Sequence, residues 1–429
     1  MKLIVFLGLL ILLFLIGFSV PYAISFTSIV TMIMDKGILN IPYEIITQRM
    51  VQGTNSFTLL AIPFFLLAGK LMNSGSITTK IFGFANELVG RVHGGLGITN
   101  IFTSMIFAGM SGSAVADAAG LGTIEIKAMD DAGFDRPFSA AVTAASSTIG
   151  PVIPPSIPLV MYGVTGSVSI AALLTAGIIP GILMGLALMV YVYIVAKKRR
   201  YPRNENFDLA RTWRAYKSAF WPLLTPVILI GGILSGVFTA TEAAAVAAAY
   251  ALVLSGVFYR ELTIKKFVRI CIETITETSM ILFIVGASSL YGYLLIKSQI
   301  PTLLMNQVFQ LSQNPMVILV LINVFLLIIG CFMECNAAIM ILTPILLPLC
   351  VAVGIDPIHL GIVMVLNLMI GLLTPPIGMC LFATARVANI KLETMIKAVI
   401  PFYIPLLVVL ILITFVPAIV TFLPSLLLG

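Results

Sequence analysis

Residues 109–117 read Gly-Met-Ser-Gly-Ser-Ala-Val-Ala-Asp, and two kinds of chemistry suit them. Gly109-Met110-Ser111-Gly112 has the GxSG spacing found around the nucleophile of intramembrane serine proteases. Such a serine needs a histidine within hydrogen-bond reach. The chain has two, His93 beside the foot of this segment and His359 at the start of a distant span. Neither is expected to reach Ser111, and the related segment at Gly330 lacks the serine, so the hydrolase reading is set aside. The other chemistry is ion and acid binding. Glycines and hydroxyls let the backbone turn sharply and bare its carbonyls and amides. Asp117 then falls near the first turn of the next helix, where the dipole favours a negative charge. A second segment, Gly-Cys-Phe-Met-Glu-Cys-Asn at 330–336, carries Glu334. Ionisable groups inside apolar runs are candidate ligand contacts; for Asp117 and Glu334 the other roles are helix capping or pairing with a basic residue. Cys331 and Cys335 are four apart, but no histidine or further cysteine accompanies them. Together with Cys271, Cys350 and Cys380 they are read as small buried hydrophobes.

The elements that hold these segments must sit in a membrane. Of 429 residues 60% are hydrophobic and 10% charged, with a mean hydropathy of +1.13, whereas soluble domains carry about 25% charged residues. Apolar runs long enough for the roughly 30 Å hydrocarbon core recur throughout, and the alternation of a β-barrel is absent. The fold class is therefore all-α polytopic. The net charge of +7 is no nucleic-acid signal: eight of the 24 basic residues fall between Lys197 and Lys217, a cytoplasmic loop by the positive-inside rule. The first 18 residues resemble a signal peptide without a cleavage site and are expected to form an uncleaved first span.

Spans are expected at about 3–19, 21–34, 53–74, 170–196, 219–237, 240–259, 272–296 and 398–425. Two apolar regions, about 94–129 and 315–353, are too long for one crossing and are interrupted by the polar segments above. They are expected to be re-entrant helical hairpins with tips near the midplane. The spans at about 137–164 and 357–385 contain Pro154-Pro155 and Pro375-Pro376, which must break them in mid-membrane.

These features repeat at a constant offset of 221 residues. Gly109 matches Gly330, Gly133 matches Gly354, Asp135 matches Asp356, Gly150 matches Gly371, and the proline pairs match. Two units follow, 1–196 and 218–429, joined by the basic loop 197–217. Each contains an odd number of crossings, so the second must enter the membrane upside down. The charges agree: Arg91, Lys127 and Arg136 flank the first hairpin, while Lys297 and Asp356 leave the second sparsely charged. Inverted repeats with discontinuous helices are the working parts of secondary transporters. Free carbonyl ends suit Na⁺ and free amide ends suit a carboxylate. A passive anion channel is the alternative, but polar groups gathered at one depth favour an occluded site over a pore.

The strings RVHGGLGITNIFTSMIFAGMSGSAVADAAGLG, AMDDAGFDRPFSAAVTAASSTIGPVIPPSIP, GCFMECNAAIMILTPILLP, LLTPPIGMCLF and SFTLLAIPFFLLAGKLM resemble, in this family's characteristic segments, the large membrane subunit of tripartite ATP-independent periplasmic (TRAP) transporters. The resemblance runs end to end. It implies an elevator-type fold and Na⁺-coupled import of an organic acid, sialic acid or a C4-dicarboxylate, across a bacterial inner membrane. It implies a small membrane subunit of about four spans and a periplasmic substrate-binding protein, neither fused to this chain. No catalytic residue and no organic cofactor are expected, and Na⁺ is the coupling ion. Membrane lipids are partners, nucleic acid is not. By the resemblance, one Na⁺ site would use Ser111, Gly112 and Ser113 with Thr148, Gly150 and Pro151. A second would use Gly330, Cys331 and Asn336 with Gly371 and Thr374. The substrate carboxylate would lie between the tips near Ser113, Ser156 and Thr374, with Asp117 and Glu334 as further candidates.

Overall fold

The computed structural model describes residues 2–73, 75–202 and 208–428, and all regular structure among them is helical. The chain runs through α1 (Lys2–Leu15), α2 (Val20–Lys36), α3 (Tyr43–Thr54), α4 (Ala61–Met72), α5 (Ser76–Val89), α6 (Gly95–Ser111), α7 (Ala114–Asp131), α8 (Arg136–Ser147), α9 (Ile157–Gly166) and α10 (Ile170–Arg199). It continues with α11 (Leu209–Leu234), α12 (Ala240–Val253), α13 (Ile264–Lys297), α14 (Ile300–Leu311), α15 (Pro315–Gly330), α16 (Cys335–Ala352), α17 (Pro357–Gly371), α18 (Met379–Ala388), α19 (Leu392–Val399), α20 (Tyr403–Phe415) and α21 (Ala418–Leu427). Six of the described helices are long and apolar enough to cross a membrane, or eight if two bent pairs each count as one span.

Element boundaries recur at the 221-residue spacing. α7 and α16 correspond at both ends, α8 and α17 at their first residues, and α3 begins at Tyr43 where α13 begins at Ile264. Both anticipated hairpins are helix pairs, α6–α7 and α15–α16. Both proline-bearing spans are interrupted, between α8 and α9 and between α17 and α18. Pro154-Pro155 and Pro375-Pro376 are both cis.

Other boundaries differ from the sequence reading. The span expected at 53–74 is shorter and is preceded by α3, with a 57° bend between them. α13 is longer than 272–296 because its basic first turns are helical too. α5 and α14 were not anticipated as separate elements. The loop 197–217 is largely helix, since α10 runs to Arg199 and α11 starts at Leu209. The C-terminal run expected at 398–425 is divided between α19, α20 and α21. The common cause is that hydropathy marks what lies in lipid, whereas helices stop at caps: Asp208 accepts from Ala210 N at 2.9 Å, ahead of the apolar run.

Close helix packing supports a scaffold around the hairpins. α12 presents Ala243, Ala244, Ala247, Ala248 and Ala251, all buried, and packs on α4. Small residues let membrane helices approach where apolar burial alone drives nothing. The start of α12 is fixed by a capping box, with Thr239 N donating to Glu242 at 2.8 Å. α13 lies against α2, α3 and α4, and α11 against α5 and α6. Outside the apolar spans, Ser76 N donates to Glu261 at 2.6 Å, and the bonds from Ser76 hold that carboxyl below its usual range.

The hairpins and broken helices cross between halves: α9 packs on α16, and α18 on α7 and α8. Buried polar pairs join hairpin to broken helix. Asn100 donates to Thr143 at 2.7 Å and Ser104 to Ser146 at 2.9 Å; Asn367 donates to Asn323 at 2.5 Å. At membrane depth such groups have no water to turn to, so each pair fixes a register.

The halves are not equivalent in their packing. α6 packs on α4, α5 and α11 as well as on α7, α8 and α10, whereas its counterpart α15 packs mainly on α16, α17 and α20, the counterparts of that second set alone. An apolar groove of 350 Å³, lined by Leu10, Phe14, Leu304, Ile322 and Leu342 among others, runs between the second hairpin and α1 and α14, although α14 still packs on α16.

Candidate functional site

The first tip follows from three residues. Ser111 ends α6, Gly112 turns left-handed at φ 62°, and Ser113 caps α7 by accepting from Ala116 N at 3.4 Å. Ser111 Oγ donates to Asp117 Oδ1 at 2.6 Å, so the carboxylate one turn into α7 pins the end of α6. Asp117 is buried, and its Oδ2 has no hydrogen-bond partner. That oxygen faces the proline break: a Cβ built on Gly150 would lie 2.7 Å from it. A Cβ on Gly112 would lie 2.5 Å from the Pro155 carbonyl oxygen and 3.7 Å from Ile157 N. The tip is therefore in van der Waals contact with the break, and a Cβ added at Gly112 would press on backbone there, at Gly150 on the Asp117 carboxylate. Thr148 Oγ1 bonds Ala145 O at 2.7 Å, and Ser156 donates to Pro151 O while accepting from Leu159 N at 3.2 Å. These two side chains shape the break, and the backbone around Gly150 and Pro151 carries its open groups.

The second tip closes on its break by backbone contact. Gly330 ends α15, and a Cβ on Gly371 at the end of α17 would lie 2.6 Å from its Cα, C and O. Ile377 N donates to Cys331 O at 3.3 Å, joining tip to break directly. Thr374 Oγ1 bonds Ile370 O at 2.9 Å. Glu334 caps α16, accepting from Ala337 N at 3.0 Å and from Asn336 Nδ2 at 2.8 Å; Asn336 Oδ1 is buried without a partner. The capping role considered for Glu334 is thus the one it plays here, whereas Asp117 holds Ser111 and caps nothing. α18 brings the second break to the first, since the Cys380 thiol stands beside Ser147.

The residues expected for each Na⁺ site lie on a tip and a break that touch within one half, whereas those expected for the substrate, Ser113, Asp117 and Ser156 against Glu334 and Thr374, are divided between the halves. Ser111 and Ser113 also line an open cavity of 260 Å³ with Lys70, Asn73, Lys266, Arg269, Glu273 and Glu277; Ser156, Asp117, Glu334 and Thr374 lie off its walls. The sequence reading took Lys266 and Arg269 as cytoplasmic charges and gave none of this cavity's charged residues a role at the site, although Lys266, Arg269, Glu273 and Glu277 follow helical spacing along one face of α13. Glu125, two turns beyond Asp117 and buried with neither carboxylate oxygen bonded, escaped it as well.

The arrangement has no hydrolytic relay. The Ser111 hydroxyl donates a hydrogen bond to a carboxylate, His359 Nε2 is 2.8 Å from Ile413 O, and His93 lies edge-on to Tyr193. What it offers is main-chain carbonyl ends, amide ends and a few hydroxyls at two tip–break junctions.

Comparison with known proteins agrees. Residues 4–419 match the family described as "Tripartite ATP-independent periplasmic transporter, DctM component". The chain is 46% identical over 413 residues to the sialic acid TRAP transporter large permease protein of Vibrio cholerae, covering 96% of each chain. It is 44% identical over 381 residues to the sialic acid TRAP transporter permease protein of Haemophilus influenzae, covering 89% of this chain and 62% of that one. The crystal structure of the YdaH transporter of Alcanivorax borkumensis superposes with a TM-score of 0.66 over 89% of each chain at 15% identity, a likeness of fold alone. These relatives are permeases, not enzymes. With its multi-pass helical architecture and its match along nearly the whole length, the chain belongs to the tripartite ATP-independent periplasmic transporter family, as a DctM component.

Proposed function

We propose that this subunit imports an organic acid with Na⁺ by moving the hairpins and broken helices against the remaining spans, as an elevator. The observation that carries the reading is the contact of each tip with its own break, Gly112 on Pro155 and Gly330 on Gly371. Each junction gathers helix C-terminal carbonyls, which suit Na⁺, and helix N-terminal amides, which suit a carboxylate. On this reading Ser111–Ser113 with Thr148–Pro151 form one Na⁺ site, and Gly330, Cys331 and Asn336 with Gly371 and Thr374 form the other. The substrate lies between the tips. Sialic acid is favoured over a C4-dicarboxylate because the two relatives described above are sialic acid permeases. A periplasmic binding protein delivers it, and a small membrane subunit completes the permease in the bacterial inner membrane.

The unequal seating of α6 and α15 supports the elevator. In an inverted repeat, the contacts one half makes now are those the other half makes in the opposite state. Two Na⁺ with a monoanion carry one net charge inward, which gains about 2.3 kcal/mol per 100 mV. The test is uptake of labelled N-acetylneuraminate into proteoliposomes holding both membrane subunits, with the binding protein outside. Uptake should stop when Na⁺ is replaced by K⁺ and when the binding protein is omitted. Undiminished uptake in Na⁺-free buffer contradicts the proposal.

A further inference from the structure

The cavity beside the first tip holds a charge arrangement that the tip–break junctions do not need. Lys70, at the end of α4, places Nζ 2.7 Å from Glu277 Oε1 and 3.6 Å from Glu273 Oε2. Arg269 Nε bonds Glu273 at 2.9 Å. Glu273 is therefore shared between two cations, while the closest partner of Lys70 is Glu277. All four line the same cavity as Ser111 and Ser113. The preceding residue, Gly69, abuts the tip, since a Cβ there would lie 2.9 Å from Ser111 Cα. The helix that carries the ammonium is thus pressed against the tip, and a carboxylate leaving the tip hydroxyls enters a space with a cation on its far wall.

We propose that Lys70 is a transient binding site for the carboxylate of the transported acid on the release path, with Glu277 as its resting counter-ion. The inference rests on the function proposed above and adds a site on the scaffold side, outside both tips. An ammonium has three donors, and the two glutamates occupy part of this capacity. The incoming carboxylate displaces Glu277, and Glu277 then competes it away, so the acid is passed on instead of trapped. Lys70 is 20% exposed and Glu277 48%, so water reaches the pair and exchange is fast.

The sign of two substitutions separates this role from a structural ion pair. If Lys70 and Glu277 only brace α4 against α13, Lys70→Gln and Glu277→Gln break the same bond and act alike. If Lys70 receives the acid, the first removes the site and the second removes its competitor, so they act in opposite directions. The assay is counterflow of labelled N-acetylneuraminate in proteoliposomes of the two membrane subunits, across a series of internal concentrations. The half-saturating internal concentration should rise about 5- to 10-fold in Lys70→Gln, as expected for a partly exposed charge-assisted bond, and fall in Glu277→Gln. Lys70→Arg should recover most of the loss. The Na⁺ concentration for half-maximal rate should stay the same in all three. Shifts of the same sign, or no shift in either variant, overturn the proposal. Failure of the unmodified protein to exchange both N-acetylneuraminate and succinate would instead remove the functional reading beneath it.

Discussion

Replacing Gly112 with alanine tests how closely the first tip must seat on its break. The residue sits at φ 62°, ψ 12°, which costs a residue with a Cβ about 1–2 kcal/mol. The new methyl would also lie 2.5 Å from the Pro155 carbonyl oxygen, a backbone atom that cannot rotate away. Such overpacking costs about 1–3 kcal/mol. Together they disfavour the seated tip by roughly 2–5 kcal/mol, and since 1.4 kcal/mol is tenfold, its population falls from about 30-fold to several thousand-fold. Because the strain is relieved by lifting the tip, the protein should still fold. Gly133→Ala is the matched control. It carries the same kind of strain at φ +88°, but nothing lies within 4 Å of the added Cβ and it is far from the junction. Na⁺-driven uptake should be lost or need at least 30-fold more Na⁺ in Gly112→Ala and be unchanged in Gly133→Ala, with both proteins monodisperse after purification. Wild-type Na⁺ dependence in Gly112→Ala would refute the requirement for this contact.

Gly371→Ala should likewise abolish uptake while leaving a folded, extractable protein, because its Cβ would drive α17 away from Gly330; size-exclusion chromatography with an uptake assay checks both halves of the statement. A Cβ on Gly292 lies 3.7 Å from Pro344, so cysteines at these positions should cross-link in the conformation described, whereas cysteines at their 221-residue counterparts, Leu71 and Thr123, should cross-link only in the opposite state. Oxidation of either pair should stop transport, and reduction restore it. Glu261 is held below the usual carboxylate range by Ser76, so this bond persists at neutral pH and is lost only as pH falls through the lowered value. Glu261→Gln should lower amide protection at Ser76 at pH 7, to a level the unmodified protein reaches only in acid.

Much of this fold was legible because the punctuation is strong. Paired prolines, glycine-bearing polar tips and a gapless spacing locate hairpins and breaks to within three residues of α6–α9 and α15–α18. Elements with weaker signals were missed: α5 and α14 are 14 and 12 residues long, neither long enough to stand out as a span. The bend between α3 and α4 was unreadable for a related reason, since α13 occupies the equivalent stretch without one. At the site, the tips and breaks were located, but what the side chains on them do was not. Nothing in the sequence says that Asp117 bonds Ser111, that Ser156 turns inward to Pro151, or which of its candidate roles Glu334 takes at α16. Those roles depend on side-chain rotamers chosen by neighbours from other helices. Lys70 and the charged face of α13 lie 200 residues apart and become one cavity only after folding.

The central claim is that the two halves enter the membrane in opposite directions, so that their tips meet from opposite sides. Asp131 and Ala352 end α7 and α16, are both exposed, and correspond at the 221-residue spacing. The direct measurement is labelling of Asp131→Cys and Ala352→Cys by a membrane-impermeant maleimide in right-side-out and inside-out vesicles, read against the unmodified protein. The account predicts that Ala352→Cys labels only from the periplasmic side and Asp131→Cys only from the cytoplasmic side. Labelling of both from the same side would contradict it.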